Sequence, residues 1–303
     1  MKPNKLNYCS GAFPDWLEVM LINTCNAKCK WCIEKDGYKP KKTISTIFLA
    51  KKILSCQEKN IILLGGEPLL YKKLGFLVYM IKDKKNIYIT TNGTLLSRQY
   101  VLDNLIGITG LNISIHHYNL EKNKKITGRL IDFNNLMYAV KIARDNNIKV
   151  RFNCNIIKGN IDNIEEIRKY VDWVKILGVN SIRFAELKND SGDFISLGKI
   201  LNYRYGLNEE PFLLGCNRNV IIDNICINFR QMCGLQTYNR PIPQDYENKS
   251  HNVLYYNGRL YNGWQKEKKM AKQKELTRKG MQLKIKKLEK ELSIRNTSVG
   301  CRY

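Results

Sequence analysis

Between positions 17 and 187, six short apolar strand candidates alternate with stretches that repeat apolar residues at helical spacing. Polar or glycine-rich turns follow the strands at their C-terminal ends. Together these features predict parallel β/α units buried on both faces. The fold class is therefore α/β: a partial (β/α)6, TIM-like barrel over residues 1–187. A small cysteine-containing β-hairpin appendage over residues 188–264 and a basic C-terminal helix over residues 265–303 complete the organisation. In such barrels the active face is built from the turns after the strands.

Each element has its own signal. Residues 17–22 (LEVMLI) form the first strand candidate and run into a loop with three cysteines. Residues 43–56 carry Ile44, Ile47, Phe48, Leu49, Ile53 and Leu54 at helical spacing, with Thr43 or Ser45 available as N-cap. Residues 60–64 are an apolar strand ending at Gly65-Gly66-Glu67-Pro68, followed by a helix over 71–82. The third strand, 86–90, breaks at Asn92-Gly93, and a helix starts from Thr94. Residues 111–116 (LNISIH) are the fourth strand, followed by helical spacing over 132–146. Residues 149–157 (KVRFNCNII) and 181–187 (SIRFAEL) flank a helix over 163–177 and close the repeat. His116 and His117 end a strand, so alternation points them opposite ways.

Composition bounds the function classes. With 303 residues and 44% hydrophobic content the chain can bury a barrel-sized core. No apolar run approaches the roughly 18 residues of a membrane span. Residues 1–15 lack the apolar centre of a signal peptide, so a cytoplasmic location with reduced thiols is expected. The net charge of +24 follows from 51 Lys and Arg against 27 Asp and Glu. Spread along the whole chain, it speaks to solubility rather than to a dedicated nucleic-acid surface.

The chemistry concentrates in Cys25, Cys29 and Cys32, a C-x3-C-x2-C set within eight residues. Soft thiolates so spaced suit an iron–sulfur cluster, zinc or copper(I). Structural zinc usually takes four ligands in two separated pairs, which fits less well. A cubane cluster held by three cysteines keeps one iron open. Cys9, Cys56 and Cys154 read as small buried hydrophobes.

C-x3-C-x2-C after the first strand, Gly-Gly-Glu-Pro after the second and Thr-Thr-Asn-Gly after the third resemble the radical S-adenosylmethionine (radical SAM) superfamily over residues 15–188. The resemblance implies that Cys25, Cys29 and Cys32 bind a 4Fe-4S cluster whose fourth iron holds S-adenosyl-L-methionine. One electron, from a reductant such as flavodoxin or ferredoxin, then releases a 5′-deoxyadenosyl radical that takes hydrogen from a substrate. On the same resemblance Gly65 and Gly66 approach the methionine moiety, Glu67 accepts from its ammonium, and Pro68 stiffens the turn. Trp31 matches an aromatic position near the adenine. Asn92 and Ser114 match contacts to ribose or methionine, and Asn153 a similar polar position. Arg151 shares the face of Asn153 and reaches a carboxylate or a substrate anion.

Within the superfamily, residues 148–167 and 179–187 resemble the branch of the molybdenum cofactor biosynthesis protein A and the SPASM/twitch peptide maturases. The arginines that grip guanosine triphosphate in the molybdenum enzyme fall where this chain has Glu18 and Ile62. A peptide-modifying maturase is thus the first reading, with a nucleotide or small-metabolite enzyme as alternative. Cys216, Cys226 and Cys233 bracket a hairpin over 219–229 and resemble a reduced auxiliary cluster site, against plain buried thiols. Arg218, Arg230 and Arg240 lie near it and would hold an anion or form ion pairs.

A second hairpin turns at Asn257-Gly258 between residues 253–256 and 259–261, with Trp264 following. Residues 265–303 carry 13 Lys and Arg against 4 Glu, with Met281, Ile285, Leu288 and Leu292 as a short apolar stripe. A metal-stabilised nucleic-acid-binding protein using that arm is the alternative of another class.

Overall fold

The structure is a computed structural model, and it describes residues 16–32, 42–187, 192–205, 217–231 and 252–262. The chain divides after Gly263 into two units, and the second, 264–303, where a charged helix was expected, lies outside the described residues.

The six predicted strands form β1 (Trp16–Met20), β2 (Asn60–Leu64), β3 (Asn86–Thr91), β4 (Gly110–Ser114), β5 (Lys149–Asn155) and β6 (Ser181–Ala185). They pair in sequence order, every neighbour parallel. The helices between them are α1 (Thr46–Ser55), α2 (Leu74–Ile81), α3 (Arg98–Asn104), α4 (Leu120–Thr127), α5 (Phe133–Asp145) and α6 (Ile164–Ile176). Ser45, Ser97, Asn119, Asp132 and Asn163 cap α1, α3, α4, α5 and α6 with side-chain acceptors, satisfying N–H groups that the first turn leaves orphaned. A 3-10 turn at Pro68–Leu70 precedes α2.

The helices cover one face of the sheet, which explains the strict alternation. Leu17, Val19, Ile61, Leu63, Ile87, Ile89, Leu111, Ile113, Phe152, Ile182 and Phe184 are buried against them. The intervening residues turn to the barrel interior. They include Glu18, Ile62, Tyr88, Asn112, Ser114, Arg151, Asn153, Arg183 and Asn228, all on one side by register.

Two departures concern helices. α4 was not predicted, because LEKNKKIT presents mostly charge and amide rather than an apolar stripe. The stretch after residue 187, expected as a polar connector, contains α7 (Leu197–Tyr205), whose start Glu186 ties down by accepting from Leu197 N at 2.8 Å.

The hairpins also sit differently from the appendage expected. β7 (Asn217–Ile222) and β8 (Ile225–Arg230) turn at Asp223-Asn224, both at positive φ, and β8 pairs parallel with β6. β9 (Asn252–Leu254) pairs parallel with β1 and antiparallel with β10 (Leu260–Asn262). Both hairpins therefore extend one ten-stranded sheet, in the order β10-β9-β1-β2-β3-β4-β5-β6-β8-β7. No helix among the described residues is long and apolar enough to cross a membrane.

Candidate functional site: a cysteine loop over an arginine-lined interior

The cysteine loop leaves β1 and is laced to the turn after β2. Leu21 N donates to Leu64 O, Gly66 N to Ile22 O and Glu67 N to Thr24 O, each at 2.8 Å. The two glycines make this approach sterically feasible. A Cβ on Gly66 would stand 2.0 Å from Thr24 O, and one on Gly65 2.4 Å from Ile22 O. The two glycines, expected to approach the methionine moiety, also admit the backbone that carries the cysteines.

Glu67 was expected to accept from the ammonium of the methionine moiety. In the structure it is 1% exposed and engaged by three donors: Thr91 Oγ1 (2.6 Å) and Leu69 N (3.0 Å) on Oε1, and Asn92 N (2.8 Å) on Oε2. Burial raises its pKa against the pull of these bonds. The carboxylate thus braces the turn after β3 against the turn after β2. Asn92, expected at the ribose or methionine, donates to Asn26 Oδ1 at 2.8 Å and reaches Cys25 Sγ at 3.8 Å. Asn26 in turn donates to Thr94 Oγ1 (2.8 Å), and Thr94 closes the ring by donating to Asn92 Oδ1. On the other flank Lys28 N donates to Thr127 O (2.7 Å) and the Arg129 guanidinium to Asn26 O.

Cys25, Cys29 and Cys32 are all half-buried in this frame. Ala27 N donates to Cys25 Sγ at 3.3 Å. Burial, reinforced by Cys32 and Cys25, pushes the Cys29 thiol up to about 12, and burial also raises Cys25. Thiols this close resist joint ionisation unless a cationic group binds them and displaces their protons. Among the described residues no three His, Cys, Asp or Glu side chains are close enough to share one metal ion. A cubane places each cysteine sulfur on a different iron, so the loop's donor set fits a cluster better than a single zinc.

Trp31 packs on a small apolar group of Ile157, Leu187 and Phe194, and stands edge-on to His116 with ring centroids 5.3 Å apart. β4 ends at Ser114, so the expected opposition of His116 and His117 does not hold. Both are buried, at 6% and 0% exposure. His116 Nδ1 accepts from Asn155 N (3.1 Å), and the His116 backbone N–H donates to Asn123 Oδ1 (2.8 Å). Desolvation lowers its pKa to about 4, so it is neutral with the proton on Nε2.

Below the rim, Ser114 pairs with Asn153 on the interior face. Arg151, singled out from sequence, donates from Nε to Asn153 Oδ1 at 3.1 Å. The structure adds Arg183, whose Nε donates to Asn228 Oδ1 at 2.8 Å, and Arg230 on β8. Arg183 was legible: in SIRFA it alternates with the buried Ile182 and Phe184. Desolvation lowers the pKa of all three, Arg151 to about 10, and mutual repulsion lowers it further for Arg151 and Arg183. Glu18 acts against the shift at Arg230.

Cys226, on β8, pairs with Ile221 on β7 and is exposed. It lies four positions from Arg230, a rise of about 13 Å along the strand. Cys216 and Cys233, its expected partners in an auxiliary site, lie outside the described residues, as do Cys9 and Arg240. Cys154 is buried as expected, whereas Cys56 is half-buried.

A parallel β/α barrel that presents three loop thiols at the C-terminal rim of its strands, above a charged interior, has the architecture of a cluster-dependent enzyme. A family model for the radical SAM superfamily matches residues 19–174, and the chain belongs to that superfamily. Membership implies a 4Fe-4S cluster and S-adenosylmethionine. The chain is 36% identical over 200 residues to molybdenum cofactor biosynthesis protein 1 of Dictyostelium discoideum, covering 62% of this chain and 31% of that protein. It is 29% identical over 203 residues to GTP 3′,8-cyclase of Aquifex aeolicus, covering 61% and 62%. It thus spans 31% and 62% of these relatives' length, in each case less than two thirds. Among solved structures, SuiB of Streptococcus suis bound to S-adenosylmethionine shares the fold, with TM-score 0.60 at 16% identity over 83% of this chain and 60% of that one.

Proposed function

We propose that the protein is a radical SAM enzyme acting on an anionic substrate of the nucleotide class. Cys25, Cys29 and Cys32 would ligate the 4Fe-4S cluster, which together with S-adenosylmethionine supplies a 5′-deoxyadenosyl radical when an external reductant donates an electron. The chain's own residues do the rest. The Gly65-Gly66 turn and the Asn26–Asn92–Thr94 ring hold the thiols in place. Trp31 and the apolar side chains beside it offer a wall to the adenine and exclude water from the rim. Ser114 and Asn153 line the interior immediately beneath.

The observation that carries the substrate class is the arginine set. Arg151 and Arg183 are desolvated cations on adjacent strands of the interior, each tied through Nε to a neutral Asn oxygen, a costly arrangement that a bound anion would offset. The named activity of the GTP 3′,8-cyclase relative agrees with that class. A peptide substrate is the second reading, since its carboxylates would meet the same guanidinium groups.

The test is the variant pair Arg151→Gln and Arg183→Gln. Cleavage of S-adenosylmethionine without substrate should persist in both, while kcat/KM for an anionic substrate falls by about a hundredfold. Unchanged kcat/KM in both variants would remove the arginines from the substrate site.

A further inference from the structure

We propose that the outer face of the cysteine loop, together with the C-terminal end of α4, is the docking surface for a small acidic one-electron carrier protein, with Lys28, Lys30, Lys125 and Arg129 as its cationic contacts. The proposal rests on membership of the superfamily and on the loop's surroundings, and is independent of which substrate the interior takes.

Three observations lead there. The first is that the end of α4 is fastened to the loop. Lys28 N donates to Thr127 O at 2.7 Å, and the Arg129 guanidinium donates to Asn26 O. Ile126 and Trp31 pack on the same small apolar group. Gly128 ends the helix at φ 76° and lets Lys28 lie over it, since a Cβ there would stand 3.3 Å from Lys28 Cβ. Residues 26–31 and 126–129 therefore form one continuous surface.

The second is the charge on that surface. Lys28 and Lys30 are exposed on either side of the half-buried Cys29, and Lys124, Lys125 and Arg129 are exposed at the facing helix end. Lys124 is engaged by Glu121, the one acid of α4, at 3.5 Å. Lys28, Lys30 and Lys125 have no acidic partner among the described residues. The helix dipole accounts for lysines in the last turn of α4. It gives no reason for cations on both sides of a loop cysteine. Because the net charge of +24 is spread over the chain, a generic basic surface is the alternative, and position has to separate the two.

The third is which side of the loop is open. Toward the barrel, Asn92 reaches Cys25 Sγ from the turn after β3, and Trp31 faces His116. That side belongs to S-adenosylmethionine and substrate, so an electron delivered from outside arrives over the outer face. The carrier is oxidised by one electron, which passes to the cluster ligated by the loop, and no bond forms between the two proteins. Encounters of this kind bury little surface, and complementary charge sets their on-rate. A nucleic acid would meet the same charges, but a strand is usually held along a basic groove that follows its backbone. Cations bunched around one thiol loop favour the compact carrier.

The experiment compares Lys28→Glu/Lys125→Glu with Lys84→Glu/Lys149→Glu, a pair with the same charge change at the N-terminal ends of β3 and β5. The probe is a flavodoxin of net negative charge, titrated against the full-length reconstituted protein, with iron content and thermal midpoint checking that each variant is intact. Lys28→Glu/Lys125→Glu should bind flavodoxin about tenfold more weakly than the wild type, and the control pair should stay within about twofold. Wild-type affinity should fall as salt rises from about 0.05 M to about 0.5 M. Flavodoxin-driven formation of 5′-deoxyadenosine should require correspondingly more carrier in Lys28→Glu/Lys125→Glu, while dithionite-driven formation is unchanged. Equal weakening in both pairs, or none in either, would overturn the proposal. So would an oligonucleotide whose binding falls in Lys28→Glu/Lys125→Glu alone while that of flavodoxin does not. Loss of the dithionite-driven reaction in that variant would place these lysines in the support of the thiols instead of on a docking face. If neither reductant yields 5′-deoxyadenosine with the wild type, the enzyme reading fails, and the binding comparison still decides the face.

Discussion

Gly66 stands against Thr24 with no room for a side chain, so Gly66→Ala must push the cysteine loop away from the turn that supports it. The expected cost is about 3 kcal/mol of overpacking, read as a lower thermal midpoint and reduced iron content after reconstitution. His116 makes a second residue-scale prediction. Its folded-state pKa of about 4 lies below the ordinary 6.5, so its contribution is present above pH 6.5 and is lost as pH falls toward 4, once the unfolded chain takes up a proton the folded one refuses. The difference amounts to about 3 kcal/mol. His116→Asn should flatten that part of the urea-midpoint profile between pH 6.5 and 4 relative to the wild type. Glu67, with a raised pKa, acts in the opposite sense, losing stability as pH rises through its folded value. At this scale the cysteine triplet, the Gly-Gly-Glu-Pro turn and Arg151 were legible in sequence, because each is a local pattern. The bracing roles of Glu67 and Asn92 were not. They depend on which loop tops the sheet brings together, which spacing along the chain does not record.

At the scale of elements, α6 illustrates how local chemistry sets a boundary. Asn163 Oδ1 accepts from both Glu165 N and Glu166 N at 3.0 Å, and those two carboxylates lie in the first turn, where the helix dipole favours them. Asn163→Ala should therefore cost about 1 kcal/mol in global stability, measured by denaturant unfolding. The predicted strands and long helices matched this kind of signal, with boundaries displaced by a few residues. α4 escaped because LEKNKKIT lacks a wide apolar face, and α7 because its apolar set, Leu197, Ile200 and Leu201, spans little more than one turn beside a polar stretch. The hairpins were legible as hairpins from Asp223-Asn224 and Asn257-Gly258. Their attachment to β6 and β1 was not, since register between strands distant in sequence is set by tertiary packing. Phe229 shows that packing directly: it stacks on Phe184 at 5.7 Å and 18°, binding β8 to β6.

At the scale of the molecule, one ten-stranded sheet divides its labour by face. Helices seal one side with an apolar core, and the other side collects Arg151, Arg183, Arg230, Asn153 and Glu18 beneath the cysteine rim. The alternation that buries Ile182 and Phe184 is the same alternation that turns Arg183 inward, so fold and site arise from a single period-two pattern. The whole arrangement has meaning only if the rim thiols hold a redox-active cluster. The most direct measurement is 5′-deoxyadenosine release from S-adenosylmethionine by anaerobically reconstituted, reduced protein. The wild type should form it, and Cys25→Ala, Cys29→Ala and Cys32→Ala should each abolish it along with the cluster's visible absorbance. Wild-type protein that carries about four irons per chain, as one cubane requires, yet releases no 5′-deoxyadenosine would contradict the account.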